Sequence, residues 1–334
     1  YYAWQGDRAG HQLYLPLSYF ERTRIGTRDF DYGISTGYVK SHTGYENGGV
    51  SGWTDTSLSV TLRNEKKINR VYYGLGVNIP TGQSRFARYA VVPEGLARFT
   101  DFGAGWQYIP SVEVVHLITE RDRLTGRLSY AVRSGYEYSK EVPSARISPG
   151  NIFAQEVEYL HAGEKKQYMV QLYHNATGSA VQDAVDTDTR TITGRNSYRD
   201  GDDWELRFFH NEKISKKNEL RFYSIYAFTG AASGIASQSV ARQYYGIGLR
   251  HRISEKLTWQ LMAHYARVSN TSDPLRTALN TGGGFRRKSL VAGADWKITE
   301  RRNFTFQTER FVRSDEGGFG YNGWAFTLWY QETL

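Results

Sequence analysis

The feature that most narrows the fold is an alternation of apolar and polar side chains, kept at period two from one end of the chain to the other. Leu13, Leu15, Leu17 and Tyr19 alternate with Gln12, Tyr14, Pro16 and Ser18. Phe30, Tyr32, Ile34, Thr36 and Tyr38 stand against Asp31, Gly33, Ser35 and Gly37. Val71, Tyr73, Leu75, Val77 and Ile79 stand against Arg70, Tyr72, Gly74, Gly76 and Asn78. Successive side chains of a strand point to opposite faces, so each segment reads as a strand that is wet on one side only. The pattern recurs near 57–62, 110–118, 124–138, 152–161, 167–174, 203–210, 219–228, 243–251, 257–266, 288–298, 303–312 and 321–331. No helix of ordinary length is predicted.

The connections fall into two alternating classes. Short charged ones lie around 22–28, 64–69, 120–123, 163–166, 212–218, 254–256 and 299–302. Longer ones, rich in Gly, Ser, Asn and Asp, occupy 41–52, 80–100, 140–150, 175–202, 229–241, 268–286 and 313–320. Short turns on one rim and long loops on the other are the plan of a membrane-spanning β-barrel. A soluble β-sandwich also alternates but rarely keeps such a rhythm. The fold class expected is therefore all-β: one 16-stranded antiparallel transmembrane barrel over residues 1–334, with short periplasmic turns and long extracellular loops. Residues 1–5 supply the strand that makes the number even, and both chain ends then lie at the short-turn rim.

Composition agrees. No apolar run reaches the roughly 18 residues of a membrane helix. Yet 25 Tyr, 16 Phe, 8 Trp and 34 Gly with only 7 Pro suit an aromatic-girdled barrel. There is no cysteine, hence no disulfide or thiol chemistry. The last stretch, Tyr321–Leu334, puts Trp324, Phe326, Leu328 and Tyr330 on one face and Gly323, Ala325 and Thr327 on the other. Tyr321, Gly323, Phe326 and Leu328 resemble the C-terminal assembly signal of bacterial outer-membrane barrels, although this chain continues beyond the aromatic on which that signal usually ends. The resemblance implies a bacterial outer-membrane location and contact with membrane lipid and lipopolysaccharide.

The formal net charge is +8. Segments 21–29, 63–70, 119–127, 162–167, 211–221, 250–256 and 297–302 together carry +12, which leaves −4 on the rest. The basicity is thus a collar at the short-turn rim, with Lys66, Lys67, Lys165, Lys166, Lys216, Lys217, Arg301 and Arg302 its expected members. The collar reads either as solvated turns that meet lipid phosphates or as a docking ring for an acidic periplasmic partner. The longest loop is acidic, through Asp183, Asp186, Asp188, Asp200, Asp202 and Asp203. Charges near mid-membrane must avoid hydrocarbon, which costs about 2–4 kcal/mol. Alternation therefore sends Arg70, Arg127, Arg133, Glu137, Glu156, Glu158, Glu205, Arg207, Arg221, Arg250, Asp295, Lys297 and Glu309 to the lumen, with Gln171, Gln260, Gln307 and Asn78. Loop 80–100, with its apolar Ala90-Val-Val-Pro93, is a candidate constriction.

Other classes of function find little support. No basic groove interleaved with aromatics follows a strand, so nucleic acid is not expected as a partner. The loop aspartates lack the regular spacing of a calcium loop, and no metal or cofactor site is expected. Gly282-Gly-Gly284 before Arg286-Arg-Lys288 precedes no helix, so it is no phosphate loop; its cations suit lipopolysaccharide. His264 is expected in the lumen, and His174 and His210 near opposite rims. No Ser, His and Asp are spaced as a catalytic group, so the chain is read as non-enzymatic.

A chain of this size that opens directly in a strand, with Gln12-Leu-Tyr-Leu-Pro-Leu-Ser-Tyr19 as the first full one, is similar to the C-terminal porin domain of exopolysaccharide exporters of the Pel, poly-N-acetylglucosamine and cellulose systems. In those proteins a helical-repeat region precedes the barrel. The resemblance leans to the Pel type and implies a cationic polysaccharide as cargo, an acidic periplasmic partner ring and an upstream helical-repeat domain. Gly76-Val-Asn-Ile-Pro-Thr-Gly82 looks instead like a strand end in channels for aromatic compounds, which keeps a diffusion porin for small polar solutes in view. A barrel-embedded hydrolase is the third reading. If the collar docks an acidic partner, Lys66, Lys67, Lys216 and Lys217 changed together to Glu abolish most binding of that partner in a pull-down, while heat-modifiable gel migration is unchanged.

Overall fold

The structure is a computed structural model and describes residues 1–6, 9–26, 28–43, 49–65, 68–86, 102–234, 239–269, 284–315 and 320–332. The strands of its first half are β1 (Tyr2–Gly6), β2 (Gly10–Ile25), β3 (Arg28–Thr43), β4 (Val50–Trp53), β5 (Thr56–Glu65), β6 (Asn69–Ile79), β7 (Gln107–Leu117), β8 (Asp122–Arg133), β9 (Tyr136–Glu137) and β10 (Arg146–Ser148). Then come β11 (Ile152–Ala162), β12 (Lys166–Thr177), β13 (Ser179–Asp186), β14 (Thr191–Arg199), β15 (Asp203–Lys213), β16 (Asn218–Thr229), β17 (Val240–Arg252), β18 (Leu257–Ser269), β19 (Phe285–Lys297), β20 (Arg302–Asp315) and β21 (Gly320–Glu332). No helix occurs among the described residues.

Each wall strand pairs antiparallel with the next. β4 and β5 form one wall strand against β3, interrupted at Thr54 and Asp55. The circuit closes where β1 pairs with both β2 and β21, giving sixteen strands. β1 joins Gly10–Gln12 of β2 to Tyr321–Ala325 of β21, and pairing of first strand with last is the condition for a sheet to cross lipid. The outer face carries the apolar half of the alternation, with Leu17, Ile34, Val157, Leu206, Ile247, Leu290 and Leu328 all exposed.

The closing seam is packed from inside. Tyr2, Trp4, Phe311 and Ala325 form a buried cluster with Tyr321 against it. Arg287 lies over the rings of Tyr2 and Phe311, 5.4 and 4.6 Å from their centres, and Arg313 lies 3.8 Å from the centre of Phe285. Gly323 allows the approach: a Cβ there would stand 2.2 Å from the Ala3 carbonyl oxygen and 2.6 Å from the Phe311 ring.

Four short turns repeat one device. Ile118-Thr119, Ile214-Ser215, Ile253-Ser254 and Ile298-Thr299 each open a turn whose hydroxyl oxygen accepts the backbone N–H groups two and three residues on, at 3.0–3.3 Å. Each isoleucine N–H donates to the carbonyl four residues on, at 2.9–3.0 Å. The hydroxyl replaces partners the turn would otherwise lack. The isoleucines are exposed at the rim.

The long-loop side departs from the sequence reading in three places. Residues 175–202 do not form a plain loop: β13 and β14 make a hairpin, and with β10 and β9 a separate four-stranded sheet. The expected strand 124–138 leaves the wall at Arg133, so Glu137 is not on the barrel wall but in β9, where Arg85 pairs with it. The reason is local: at Gly135 a Cβ would meet the Ile147 carbonyl oxygen at 3.1 Å, so the backbone crosses close to β10 there. Finally, the strand expected from 288 starts at Phe285, so Arg286 stands in β19 rather than in the preceding loop.

Trp4 is only 6% exposed, and truncating a buried aromatic costs about 3–5 kcal/mol. Trp4→Ala therefore lowers the urea midpoint of the folded, slow-migrating form, and Gly323→Val lowers it further by parting β1 from β21; refolding into detergent or liposomes measures both.

Candidate functional site in the lumen and outer vestibule

The inner face is dense in paired charge. Arg127 donates to Glu113 at 2.8 Å and to Glu156 at 3.0 Å, bridging β7, β8 and β11. Arg123 pairs with Glu158 at 3.2 Å. Arg207 donates to Glu205 beside it and to the Gln171 side-chain oxygen at 3.0 Å. Arg221 pairs with Glu219 at 2.7 Å, Arg250 with Asp295 at 3.1 Å, and Arg287 with Glu309 at 2.7 Å. Near the short-turn rim Arg63 links Asp31 and Glu65. Paired in this way the guanidiniums lay down rows of donors and acceptors with little net field, some held by a carboxylate on a neighbouring strand and others, as Arg207 and Arg221, by one two residues away on their own.

The register puts Arg70, Gln260, Gln307 and Lys297 on this same face, Lys297 at the short-turn end of β19. A cavity of about 520 Å³ opens there, lined by Arg221, Tyr223, Gln260, His264, Arg287 and Glu309 among others. Asp31, Arg63, Glu113, Glu219 and Arg287 escaped the sequence reading. The parity that selected Arg127 also selects Glu113 and Arg287, so the signal was present. The pairing of Arg63 with Asp31 spans two strands and needs the register.

At the outer mouth one carboxylate acts as a fastener. Asp55, 7% exposed, accepts the backbone N–H groups of Gly82 (2.9 Å), Gly103 (2.6 Å) and Ala104 (2.9 Å) and the Asn78 side-chain amide (2.8 Å). Gly103 holds φ +54°, and a Cβ there would stand 2.6 Å from the Ser84 nitrogen. Phe102, 1% exposed, packs with Val39 and Val50 of the inner wall, and Phe86 adds to them. The two ends of the 80–100 loop are thus tied to the inside of the mouth; Ala90–Pro93 lie outside the described residues. Phe86 also bridges to Ser139, which joins this fastening to the four-stranded sheet.

Between that sheet and the wall lies a vestibule of about 880 Å³. Arg133, Asn175, Asp203 and Arg242 line it from the wall, and Gln182, Asp183, Tyr198 and Asp200 from the sheet side. Asp203 accepts from Thr229 and from Arg242, the latter at 3.3 Å. Asp183 accepts the Arg146 N–H at 2.9 Å and the Arg195 guanidinium at 3.1 Å, which together hold its carboxyl below the usual range. Asp200 keeps contact with water but is crowded by the vestibule walls, and that desolvation raises its carboxyl above the usual range against the pull of Arg133. Asp186 caps the hairpin tip through the Asp188 and Thr189 N–H groups, and Asp202 pairs with Arg199. The aspartates expected together in one loop are thus divided between the vestibule and local structural tasks.

Of the collar, Lys165, Lys166, Lys216, Lys217, Arg301 and Arg302 are exposed at the short-turn rim, with Lys166 paired to Glu212 and Arg302 to Glu332; Lys66 and Lys67 lie outside the described residues. The histidines are dispersed. His264 faces inward, edge-on to Tyr223, while His174 stacks on Trp204 at 4.0 Å and His210 beside Phe208 on the outer face. Among the described residues no cluster of His, Asp and Glu fits a metal.

Removing the Asp55 carboxylate leaves three buried N–H groups without partners, at about 1–3 kcal/mol each. Asp55→Ala therefore exposes the 80–104 segment to protease at the cell surface and makes single-channel current noisier, with the barrel still folded in detergent.

No family model and no curated protein matches the sequence. Solved structures do. A bacterial polysaccharide outer membrane secretin superposes with a TM-score of 0.50 at 8% identity, over 99% of this chain and 94% of that one. The closed form of the ferric-catecholate import receptor Fiu from E. coli K12 gives 0.50 at 10% identity, over 97% of this chain and 62% of its own. Identity this low speaks for the fold alone. Closed antiparallel circuit, apolar outside and polar inside together make this chain a sixteen-stranded β-barrel of the bacterial outer membrane.

Proposed function

We propose that this barrel exports a polar polymer, a polysaccharide of cationic character, from the periplasm to the cell surface. The observation that carries the reading is the vestibule. Asp183, Asp200 and Asp203 line it with Arg133 and Arg242; Asp183 is paired with Arg195 and Asp203 with Arg242, which leaves Asp200 as the lining carboxylate with no ion pair among the described residues. Tyr138 and Tyr198 add aromatic faces of the kind on which sugar rings stack. Below it, paired charges on the inner wall offer a hydroxyl-rich chain a succession of donors and acceptors. No single contact need be strong, so a chain pushed from the periplasm can move on. The likeness to a polysaccharide secretin is in keeping with this reading. The exposed collar supports the further proposal that an acidic periplasmic partner docks at the short-turn rim.

A second reading, a diffusion porin for small polar solutes, is favoured by the inner cavity of about 520 Å³. A hydrolase finds little support: His264, Ser289 and Glu309 line one inner cavity, but no hydrogen bond joins them among the described residues, and His174→Ala and His210→Ala should leave function intact.

Planar-bilayer recording tests the proposal. Cationic hexosamine oligomers added on the short-turn side block the current in discrete events, whereas neutral disaccharides pass without blocks; the reverse behaviour would establish the porin. Cation preference at pH 7 falls roughly two-fold in Asp200→Asn. In wild type it falls likewise on acidification, starting above the ordinary aspartate range, because desolvation raises the Asp200 carboxyl. Anion preference at pH 7 overturns the cationic cargo.

A further inference from the structure

One group of cations stands on the lipid side of the wall, with no anion paired to it among the described residues. Arg267 of β18, Arg286 and Lys288 of β19 and Arg310 of β20 lie near the outer ends of three adjacent strands. The register fixes their face. Arg286 pairs with Arg267 and Ser314, Lys288 with Tyr265 and Val312, and Arg310 with Leu290 and Trp324. They therefore share a side with Leu290, Val312 and Trp324, all exposed to the membrane. Arg287, between Arg286 and Lys288, points the other way and is paired with Glu309.

Two features set this group apart from incidental surface charge. Arg267 and Arg286 are direct cross-strand neighbours, an arrangement that destabilises a sheet unless an anion lies between them. And among the described residues the outward face of β18–β21 holds a single carboxylate, Glu332, at the opposite rim and bonded to Arg302. Arg310 is already braced: its guanidinium lies 5.5 Å from the Trp324 ring centre and donates to the Gly323 carbonyl oxygen at 3.0 Å and to Asn322 at 2.6 Å. Arg267, Arg286 and Lys288 reach outward, exposed. Arg267 and Arg286 lie at the long-loop ends of their strands, with Lys288 level with Val312 and Arg310 level with Leu290 and Trp324.

We propose that this patch binds the phosphorylated glycolipid of the outer leaflet, with Arg267, Arg286 and Lys288 gripping its phosphates and Leu290, Val312 and Trp324 receiving its acyl chains. The site would take the place of the divalent cations that otherwise bridge such phosphates, and it would anchor the β18–β20 side of the barrel in the leaflet. It is independent of what the lumen carries.

Native mass spectrometry in detergent, with lipid A titrated onto the purified barrel, tests this. Wild type is expected to bind bisphosphorylated lipid A at least ten-fold more tightly than its dephosphorylated form, and inorganic phosphate should not compete. Arg267→Gln, Arg286→Gln and Lys288→Gln combined remove the difference, while Lys40→Gln, at another outward cation on β3, does not. Equal binding of the two lipid forms by wild type overturns the proposal whether or not the triple variant folds. So does unchanged binding by a folded triple variant, and competition by inorganic phosphate reduces the patch to a general anion site.

Discussion

The whole structure depends on hydrogen-bonding the main chain without water. In hydrocarbon each unpaired N–H or C=O costs several kcal/mol, so a sheet crosses lipid only when its first strand meets its last. Here the first strand, Tyr2–Gly6, bonds on both sides, to β2 and to β21. The buried Tyr2–Trp4–Phe311 cluster, with Arg287 over two of its rings, adds packing at this seam. The Tyr1 carbonyl oxygen accepts the Phe326 N–H at 2.8 Å.

Once closure is met, the two rims are free to differ, and they do. The short-turn rim is economical: four turns repeat one isoleucine–hydroxyl device, and their middle positions hold cations such as Arg121, Lys216, Lys256 and Arg301. The other rim spends its length on shape. A four-stranded sheet and the Asp55 fastening narrow the mouth into a vestibule. Charge inside is arranged as pairs rather than as a field, because a guanidinium facing water-filled space beside a carboxylate is held in place without attracting one ion too strongly to release it.

Much of this was legible before any coordinates. Alternation at Leu13–Tyr19 and Val71–Ile79 assigns strands and faces together, and the two classes of connection yield the strand number. What escaped shares one cause. Glu137 follows in phase from Arg133, but the backbone leaves the wall between them. Asp55 looks like a loop aspartate next to Trp53, and its four donors come from 78–104, brought near only by folding. The Ser179–Arg199 hairpin alternates less cleanly than the wall because neither of its faces meets lipid.

The sequence by itself determined that the chain is a barrel, how many strands it has and which side chains face water. Those properties follow from period two and turn length, both local. Only the tertiary structure decided which charges meet, how the mouth is narrowed and that Arg267, Arg286, Lys288 and Arg310 gather on one patch of the outer surface. Those depend on strand register, and register is set by the closure of the entire circuit rather than by any one segment.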